Sequence, residues 1–228
     1  SNLEILSCNN NSLSAIDLTD LINLRSINVS TNQISGNLDF SQNTLVEFIW
    51  CHQNQISSID LIQCYKLKKL DCHTNQIDSI DVSNATQFQY LWCINNTPLT
   101  SINVKNGSSL WTTTYTFQGI DFKIGNNPNL SYVCVDEEEA SLIQDKINLA
   151  GLSSTCNVNS YCSFTPNGVF YQILGNTKFD FNNDGCDVSD IDFSNLNFSI
   201  SNGSSLVTYI ANETGNYNIP VQSGTITI

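Results

Sequence analysis

Methionine, basic residues and long apolar runs are missing or scarce in this chain of 228 residues. It has no methionine, even at position 1, and no secretory signal peptide, so we expect a mature or cut fragment. No apolar run approaches the roughly 18 residues that span a bilayer, which predicts a soluble globular chain without membrane insertion. Only 8 Lys and Arg stand against 21 Asp and Glu, giving a formal net charge of −13. Counterion release therefore cannot drive binding to nucleic acid, which we exclude as a partner.

What the chain does have is an internal repeat. Apolar residues open successive units at spacings of 20 to 22 residues. These openers are Leu3, Leu24, Val46, Leu67, Phe88, Leu110 and Leu130. Two further inward positions follow in each unit, three and five residues after the opener. An asparagine comes three residues after the second of them in five units, at Asn11, Asn32, Asn54, Asn75 and Asn96. The unit that opens at Leu110 is the weakest match, because it carries "TTTYTF" and is one residue short.

The repeat follows the pattern L-x-x-L-x-L-x-x-N-x-L-x-x-L over about 155 residues. The chain thereby resembles the leucine-rich repeat family in its short, internalin-like bacterial form, of the type exported by Bacteroidota. The resemblance implies a solenoid of 21–22-residue repeats with parallel strands on a concave face, since no single unit can bury its apolar edge alone. We expect each asparagine to turn the chain and to bind neighbouring backbone groups. Residues 1–157 are assigned to this domain and its cap.

The segment "VDEEEASLIQDKINLAG" after the last repeat predicts a helix. Acids stand in its first turn, and Gly151 is a stop signal. Its apolar residues on or near one face are Leu142, Ile143, Ile147 and Leu149. Such a helix is expected to cap the open end of the core. The acidic run is then a helix N-terminus rather than a metal or partner site.

A second module is expected at residues 161–228. Short alternating segments such as "VFYQIL", "LVTYI" and "TITI" are separated by Gly, Asn and Ser, which is typical of a small all-β, Ig-like sandwich. Through Gly175, the acidic stretch 180–190 and "GNYNIPVQSGTITI", this part resembles the β-sandwich B-type repeats of bacterial surface adhesins and their transthyretin-like relatives. Its length of about 68 residues is small for such a sandwich, which leaves truncation at Ile228 open.

The acidic stretch "DFNNDGCDVSDIDF" resembles the front half of a calcium loop. Acidic and amide residues stand at loop positions 1, 3 and 5, with Gly185 at position 6, but position 12 is Ile191 rather than Glu. The adhesin resemblance implies a calcium ion held by Asp180, Asn182, Asp184, the carbonyl of Cys186, Asp187 and Asp190. The alternative is a solvated turn without an ion, since Asn, Asp and Gly also cluster in ordinary turns.

Nine cysteines divide by their place in the repeat. Those at the same inward position are expected to form a buried, reduced column: Cys8, Cys51, Cys72 and Cys93. Of the others, we predict the bridges Cys134–Cys156 and Cys162–Cys186, which would require an oxidising compartment. Cys64 is left over.

The outward positions predict a binding patch. Because side chains alternate across a strand and neighbouring strands lie about 4.8 Å apart, eight residues should share one exposed surface. They are Phe48, Trp50, His52, Lys69, Asp71, His73, Tyr90 and Trp92. Exposed aromatic residues suit a protein hot spot or sugar stacking, and the alternative is cross-strand packing that only stabilises the sheet.

The dipeptide Cys-His occurs twice in this region, which raises a zinc site of two cysteines and two histidines. Register excludes that site, because Cys51 and Cys72 should point inward while His52 and His73 point outward. What we expect instead is a stacked histidine pair with some pH sensitivity.

We found no nucleophile with a base and an orienting acid, no phosphate-cradling loop and no paired carboxylates in a pocket. The sequence therefore favours a non-enzymatic, monomeric recognition protein, secreted or at the cell surface, that binds a protein or a glycan. A structural stalk of a larger surface protein is the alternative, and a protein inhibitor is the second alternative. The ligand itself cannot be inferred from the fold.

Overall fold

The computed structural model describes residues 1–108, 121–160, 171–185, 187–201, 206–221 and 227–228. They divide into two compact units, Ser1–Leu130 and Ser131–Ile228. No helix in these ranges is both long and apolar enough to cross a membrane.

The first unit is a parallel-strand β-solenoid, as the repeat predicts. One set of short strands comprises β1 (Ile5–Ser7), β2 (Ser26–Asn28), β4 (Phe48–Trp50), β6 (Lys69–Asp71), β8 (Tyr90–Trp92) and β10 (Asp121–Lys123). They form a six-stranded sheet in that order, and each pairing is parallel. The return halves of the repeats contribute β3 (Ser35–Asp39), β5 (Gln55–Asp60), β7 (Ser79–Asp81) and β9 (Ser101–Asn103). Of these, β3 pairs with β5 and β7 with β9, again in parallel.

The core of this unit comes from the inward positions of the six-stranded sheet. In this sheet, the middle residue of each strand after β1 is buried. These residues are Ile27, Ile49, Leu70, Leu91 and Phe122. Two residues further on, the inward position is also buried, and it holds Val29, Cys51, Cys72, Cys93 and Ile124. The strand pairings and the burial of these inward positions confirm the predicted register up to β8.

The sixth strand lies later in the chain than the repeat predicts. The opener at Leu110 would place it at residues 112–114, which lie outside the described residues, but β8 pairs with Asp121–Lys123. Tyr90 to Asp121 is 31 residues, against 21 from Lys69 to Tyr90. Extrapolating a fixed period therefore assigned the wrong segment to the strand beside β8.

Buried asparagines join each repeat to the one before it. Asn75 is typical: its Nδ2 donates to the carbonyl oxygens of Cys51 at 3.0 Å and Cys72 at 3.1 Å, and its Oδ1 accepts from the backbone N–H of Ile56 at 3.0 Å. The same set of hydrogen bonds recurs at Asn32, Asn54 and Asn96. In the long sixth unit Asn127 takes this place. The predicted role of the asparagines is confirmed, and we call this column the asparagine ladder.

The residue before the asparagine of each repeat, Asn11 included, has a left-handed backbone, which the repeat pattern did not predict. These residues are Asn10, Thr31, Gln53, Thr74, Asn95 and Asn126, with φ between 54° and 60°. Asn tolerates this conformation, whereas a β-branched threonine is strained in it. The turn that presents each asparagine therefore stores strain where the preceding residue is threonine.

The second unit combines one helix with short strands. Helix α1 (Ala140–Leu149) follows a 3-10 turn at Glu137–Glu139, and Gly151 after it has a φ of 72°, as a stop signal requires. The strands are β11 (Tyr132–Cys134), β12 (Asn157–Asn159), β13 (Tyr171–Asn176), β14 (Lys178–Phe179), β15 (Ile191–Asp192), β16 (Asn197–Ser201), β17 (Leu206–Ile210) and β18 (Asn216–Val221). Pairing is parallel between β11 and β12, and antiparallel in β12–β17, β16–β17, β13–β18 and β14–β15. The helix buries Ile143 and Ile147, but Leu149, predicted on that face, is 84% exposed.

One predicted disulfide is wrong. Cys156 is a buried free thiol, so the bridge Cys134–Cys156 does not form, although Cys134 is disulfide-bonded. Cys134 lies opposite Asn159 in the β11–β12 pair, three residues beyond Cys156. Three residues of strand span about 10 Å, more than the roughly 7 Å that a disulfide allows between Cα atoms. The second predicted pair, Cys162 and Cys186, lies outside the described residues.

The repeat cysteines are free, as expected: Cys8, Cys51, Cys72 and Cys93. The last three are fully buried, and burial raises the pKa of each thiol far above its usual range. Cys64, left over in the sequence, is likewise free and buried, and burial together with the charge of Asp60 raises its pKa to about 12. Cys8 is only half-buried, whereas the other four cysteines are unreactive core thiols.

The asparagine ladder should be strongest in its interior. We predict that Asn75→Ala lowers the free energy of unfolding by about 3 kcal/mol or more, since it strands several buried backbone groups. Asn11→Ala is the matched control: Asn11 is exposed and its amide bonds only to its own repeat, at Cys8 and Asn9, so we expect a loss of about 1 kcal/mol or less. Urea denaturation measures both, and equal losses would contradict the ladder's role.

The strained turn gives a prediction of opposite sign. Thr74 is exposed and has a φ of 57°, so Thr74→Asn should stabilise the protein by about 1 kcal/mol, as the penalty for a left-handed residue falls. Thr44→Asn serves as the control, because Thr44 is also exposed in a turn but is not among the residues with positive φ. Thermal melts should show a higher Tm for the first variant only. A lower Tm for Thr74→Asn would rule out backbone strain at this position.

Candidate functional site

The six-stranded sheet brings all eight predicted binding residues onto one face. The strands β4, β6 and β8 align Phe48, Lys69 and Tyr90 in one row. The next row aligns Trp50, Asp71 and Trp92. His52 and His73 come two residues after the ends of β4 and β6, beside the second row. We call this set the aromatic patch: Phe48, Trp50, His52, Lys69, Asp71, His73, Tyr90 and Trp92.

Two residues that the sequence reading missed extend the patch. Because β10 rather than residues 112–114 lies beside β8, Asp121 follows Tyr90 in the first row and Lys123 follows Trp92 in the second. Lys123 Nζ is 3.2 Å from Asp121 Oδ2 and 4.6 Å from the centroid of the Trp92 ring. The signal that could have found them is Asn127, whose position relative to β10 matches that of Asn96 relative to β8.

The aromatic rings are held by neighbours of defined geometry. Trp92 stacks on His73 with centroids 4.4 Å apart and carries Lys123 at 4.6 Å. The histidine comes from the β6 side and the lysine from the β10 side, so both faces of this indole are covered. Phe48 and Trp50 lie nearly parallel at 5.9 Å, and Lys69 Nζ is 5.7 Å from the Tyr90 ring. Aromatic stacking and cation–π contacts of this kind contribute about 0.5–1.5 kcal/mol each and make the surface rigid.

Asp71 lies under the two histidines rather than at the surface. Only 6% of it is exposed, and His73 Nδ1 is 2.6 Å from its Oδ1. His52 Nδ1 is 3.3 Å from the other oxygen, Oδ2, but makes no hydrogen bond within the described residues. The two imidazole rings are stacked 4.4 Å apart and 10° from parallel. The predicted histidine pair therefore forms, with a buried carboxylate beneath it.

Burial and charge shift the acidities in this cluster. Burial lowers the pKa of His52. The negative charge of Asp71 acts in the opposite direction, and the like charge of His73 lowers the pKa further. Burial, with the charges of Asp71 and Asp121, raises the pKa of Tyr90 to about 12. Near neutral pH His52 is thus a neutral imidazole with an available nitrogen.

The cysteines that precede the two histidines point the other way. Cys51 and Cys72 are fully buried in the core, whereas His52 and His73 are partly exposed. The register argument against a site of two cysteines and two histidines is thereby confirmed.

The acidic loop of the second unit connects β14 to β15. Carboxylate oxygens of Asp180, Asp184 and Asp190 lie within 4.8 Å of one another. Asp190 is 4% exposed, and its Oδ1 makes no hydrogen bond within the described residues; nor does Oδ1 of Asp180. Gly185 has a φ of 102°, and its N–H donates to Asp180 Oδ2 at 3.1 Å.

Two other predicted ligands of the loop make hydrogen bonds within it. Asn182 faces Asp184: its amide donates to a carboxylate oxygen there at 2.8 Å. Asp187 Oδ1 accepts from the backbone N–H and the hydroxyl of Ser189, which lowers the pKa of that carboxyl. Cys186 lies outside the described residues. Of the six predicted ligands, the loop thus holds Asp180, Asp184 and Asp190 within 4.8 Å of one another.

Comparison with known proteins agrees with the repeat architecture. Residues 44–85 match the family described as "Leucine Rich repeats (2 copies)". None of the curated proteins searched matches the chain. Among solved structures, the chain is similar to the functional domain of InlJ from Listeria monocytogenes, described as including a cysteine ladder, with 15% identity and a TM-score of 0.39. That similarity covers 96% of this chain and 62% of the other. The matched repeats contain β4 and β6, so part of the aromatic patch lies on leucine-rich repeats.

Proposed function

We propose that this chain is a non-enzymatic recognition protein that binds a protein ligand through the aromatic patch. The observation that carries the proposal is a continuous surface of four partly exposed aromatic rings interleaved with Lys69 and Lys123. Tryptophan and tyrosine are among the residues that dominate binding energy at protein interfaces. Proteins with leucine-rich repeats are typically binding proteins, which supports the same conclusion.

The arrangement of Trp92 favours a protein over a glycan. A sugar ring binds by stacking on a free aromatic face, but His73 and Lys123 already occupy both faces of this indole. Protein side chains can instead contact ring edges and the lysine ammonium groups. The rigid packing also reduces the entropy lost on binding.

The chemistry of the thiols supports a role without catalysis. Cys51, Cys64, Cys72, Cys93 and Cys156 are buried, and burial raises the pKa of each thiol to about 12 or far above its usual range. A thiol that stays protonated is a poor nucleophile. The patch itself is an open sheet surface.

We further propose that the protein acts outside the cell or at the cell surface, as a monomer, in the manner of internalin-like proteins. A stalk function for a larger surface protein remains the alternative, and a protein inhibitor the second alternative. The aromatic patch favours recognition over the stalk, because a spacer needs no exposed aromatic surface.

Two architectural proposals accompany this function. We propose that residues 1–157 form the repeat domain with α1 as its cap, supported by the burial of Ile143 and Ile147 in that helix. Residues 161–228 are proposed to be an Ig-like sandwich module. Ile200 and Ile219 are fully buried there, and partly buried Ile173, Phe198 and Tyr217 pack against them.

We also propose that the acidic loop holds a calcium ion. Asp180 and Asp190 each present a buried carboxylate oxygen without a hydrogen-bond partner among the described residues, and Asp184 completes the acidic cluster. Holding three carboxylates this close together, with Asp190 buried, is unfavourable unless a cation neutralises them. Oxygen ligands from carboxylates are those that calcium prefers.

The recognition proposal predicts a specific loss of binding. An array of extracellular proteins and an array of glycans should give hits among the proteins, and Trp50→Ala should weaken those hits by about 2 kcal/mol or more, as expected for a hot-spot residue. Tyr65→Ala is the matched control, because Tyr65 is an exposed aromatic residue in a turn away from the patch. Unchanged binding by Trp50→Ala would contradict the proposal, and hits confined to glycans would contradict the choice of a protein ligand.

The calcium proposal predicts stabilisation by the ion. Millimolar calcium should raise the Tm and give a heat of binding, since an ion that binds only the folded state stabilises it. Asp190→Asn should abolish both effects, whereas Asp187→Asn should retain them, because Asp187 binds Ser189 instead. Calorimetry and thermal melts provide the measurements. If the wild-type protein shows neither effect, the loop is an ordinary turn.

A further inference from the structure

The chain has only two histidines, and both converge on one buried carboxylate. Ligand atoms of His52, Asp71 and His73 lie within 4.8 Å of one another. The contacts proposed for a protein partner come from the aromatic rings and the lysines of the patch, and they do not account for a buried carboxylate beside two imidazoles. Its chemistry therefore needs an explanation of its own.

The distances within the cluster are close to those around a bound transition metal. Tetrahedral zinc, with bonds of about 2.0–2.1 Å to histidine nitrogen and carboxylate oxygen, separates its ligand atoms by about 3.3 Å. His52 Nδ1 is 3.3 Å from Asp71 Oδ2, and His73 Nδ1 is 2.6 Å from Asp71 Oδ1. An ion would replace the hydrogen bond between His73 Nδ1 and Asp71 Oδ1, and the distance between these two atoms would grow by less than about 1 Å.

One of the donors lacks a partner. His52 Nδ1 is buried and makes no hydrogen bond within the described part of the chain. A buried nitrogen without a partner carries a desolvation penalty of about 1–3 kcal/mol. Coordination of a metal ion would satisfy this nitrogen and neutralise the buried carboxylate of Asp71 at the same time.

We propose that His52, Asp71 and His73 form a binding site for a divalent transition metal ion of the zinc class. Two imidazoles and one carboxylate supply three ligands, and a water molecule would complete the coordination. This set selects against calcium and magnesium, which prefer oxygen ligands, so the site is distinct in kind from the acidic loop. The inference goes beyond the proposed recognition function and does not depend on it.

Metal binding requires a small rearrangement of the rings. The two imidazoles are stacked within 10° of parallel, so their nitrogen lone pairs do not yet point to a common centre. The ion must tilt the rings toward each other. Since His73 stacks on Trp92 at 4.4 Å, this tilt changes the environment of the indole. Tryptophan fluorescence therefore reports on the site.

The test is a titration of the metal-free full chain with Zn²⁺ at neutral pH, followed by calorimetry and tryptophan emission. We expect one ion per chain with a concurrent change in emission. His52→Gln, His73→Gln and Asp71→Asn should each weaken the affinity by more than about tenfold, since even residues that only orient a ligand account for 10–100-fold. Circular dichroism of each variant checks that it remains folded.

Two controls exclude other sources of zinc binding. Cys8→Ser removes the half-buried thiol, and Asp180→Asn disrupts the acidic loop; both should bind Zn²⁺ as the wild-type protein does. The proposal is wrong if the wild-type protein binds no Zn²⁺ at micromolar concentration, or if folded His52→Gln and His73→Gln bind it unchanged. Because no protein partner takes part, either result leaves the recognition proposal intact.

Discussion

The hydrogen bonds of the asparagine ladder are the constraint on which the solenoid depends. Where each strand ends, the chain turns inward and its carbonyl groups would be buried without partners. One amide per repeat satisfies carbonyl groups of its own and the preceding repeat, as Asn75 does at Cys72 and Cys51. No apolar side chain could do so. The ladder thereby fixes the register of the strands in the six-stranded sheet.

Fixed register makes the outward face predictable. The aromatic patch across β4, β6 and β8 was predictable from the sequence, because intervals of 21 residues keep Phe48, Lys69 and Tyr90 in one row. The same register also separated inward cysteines from outward histidines. Both inferences used only the alternation of side chains along a strand, which a repeat makes reliable.

What the sequence reading could not supply are features that arise from departures from the period or from three-dimensional packing. The fixed period predicted Thr112 and Thr114 beside Tyr90 and Trp92. Because the interval before β10 is long, Asp121 and Lys123 take these places, and only the ladder asparagine at position 127 marks the change. The bridge Cys134–Cys156 failed because spacing along the chain does not report strand register. The burial of Asp71 depends on two side chains from neighbouring repeats closing over it.

Asp71 is the residue in the patch that the stability of the fold explains least. Its row also holds Trp50, Trp92 and Lys123, so neither the ladder nor the core requires a carboxylate there. Burying a carboxylate is unfavourable unless it is well paired. The hydrogen bonds to Asp71 come from one residue, His73, through Nδ1 at 2.6 Å and a long backbone N–H contact at 3.5 Å. Replacing Asp71 by an apolar residue would relieve that cost without disturbing any ladder hydrogen bond. Because the fold does not require this unfavourable burial of a carboxylate, a ligand explains it best. The two histidines beside the carboxylate determine the kind of ligand, which is a cation that accepts nitrogen as well as oxygen donors.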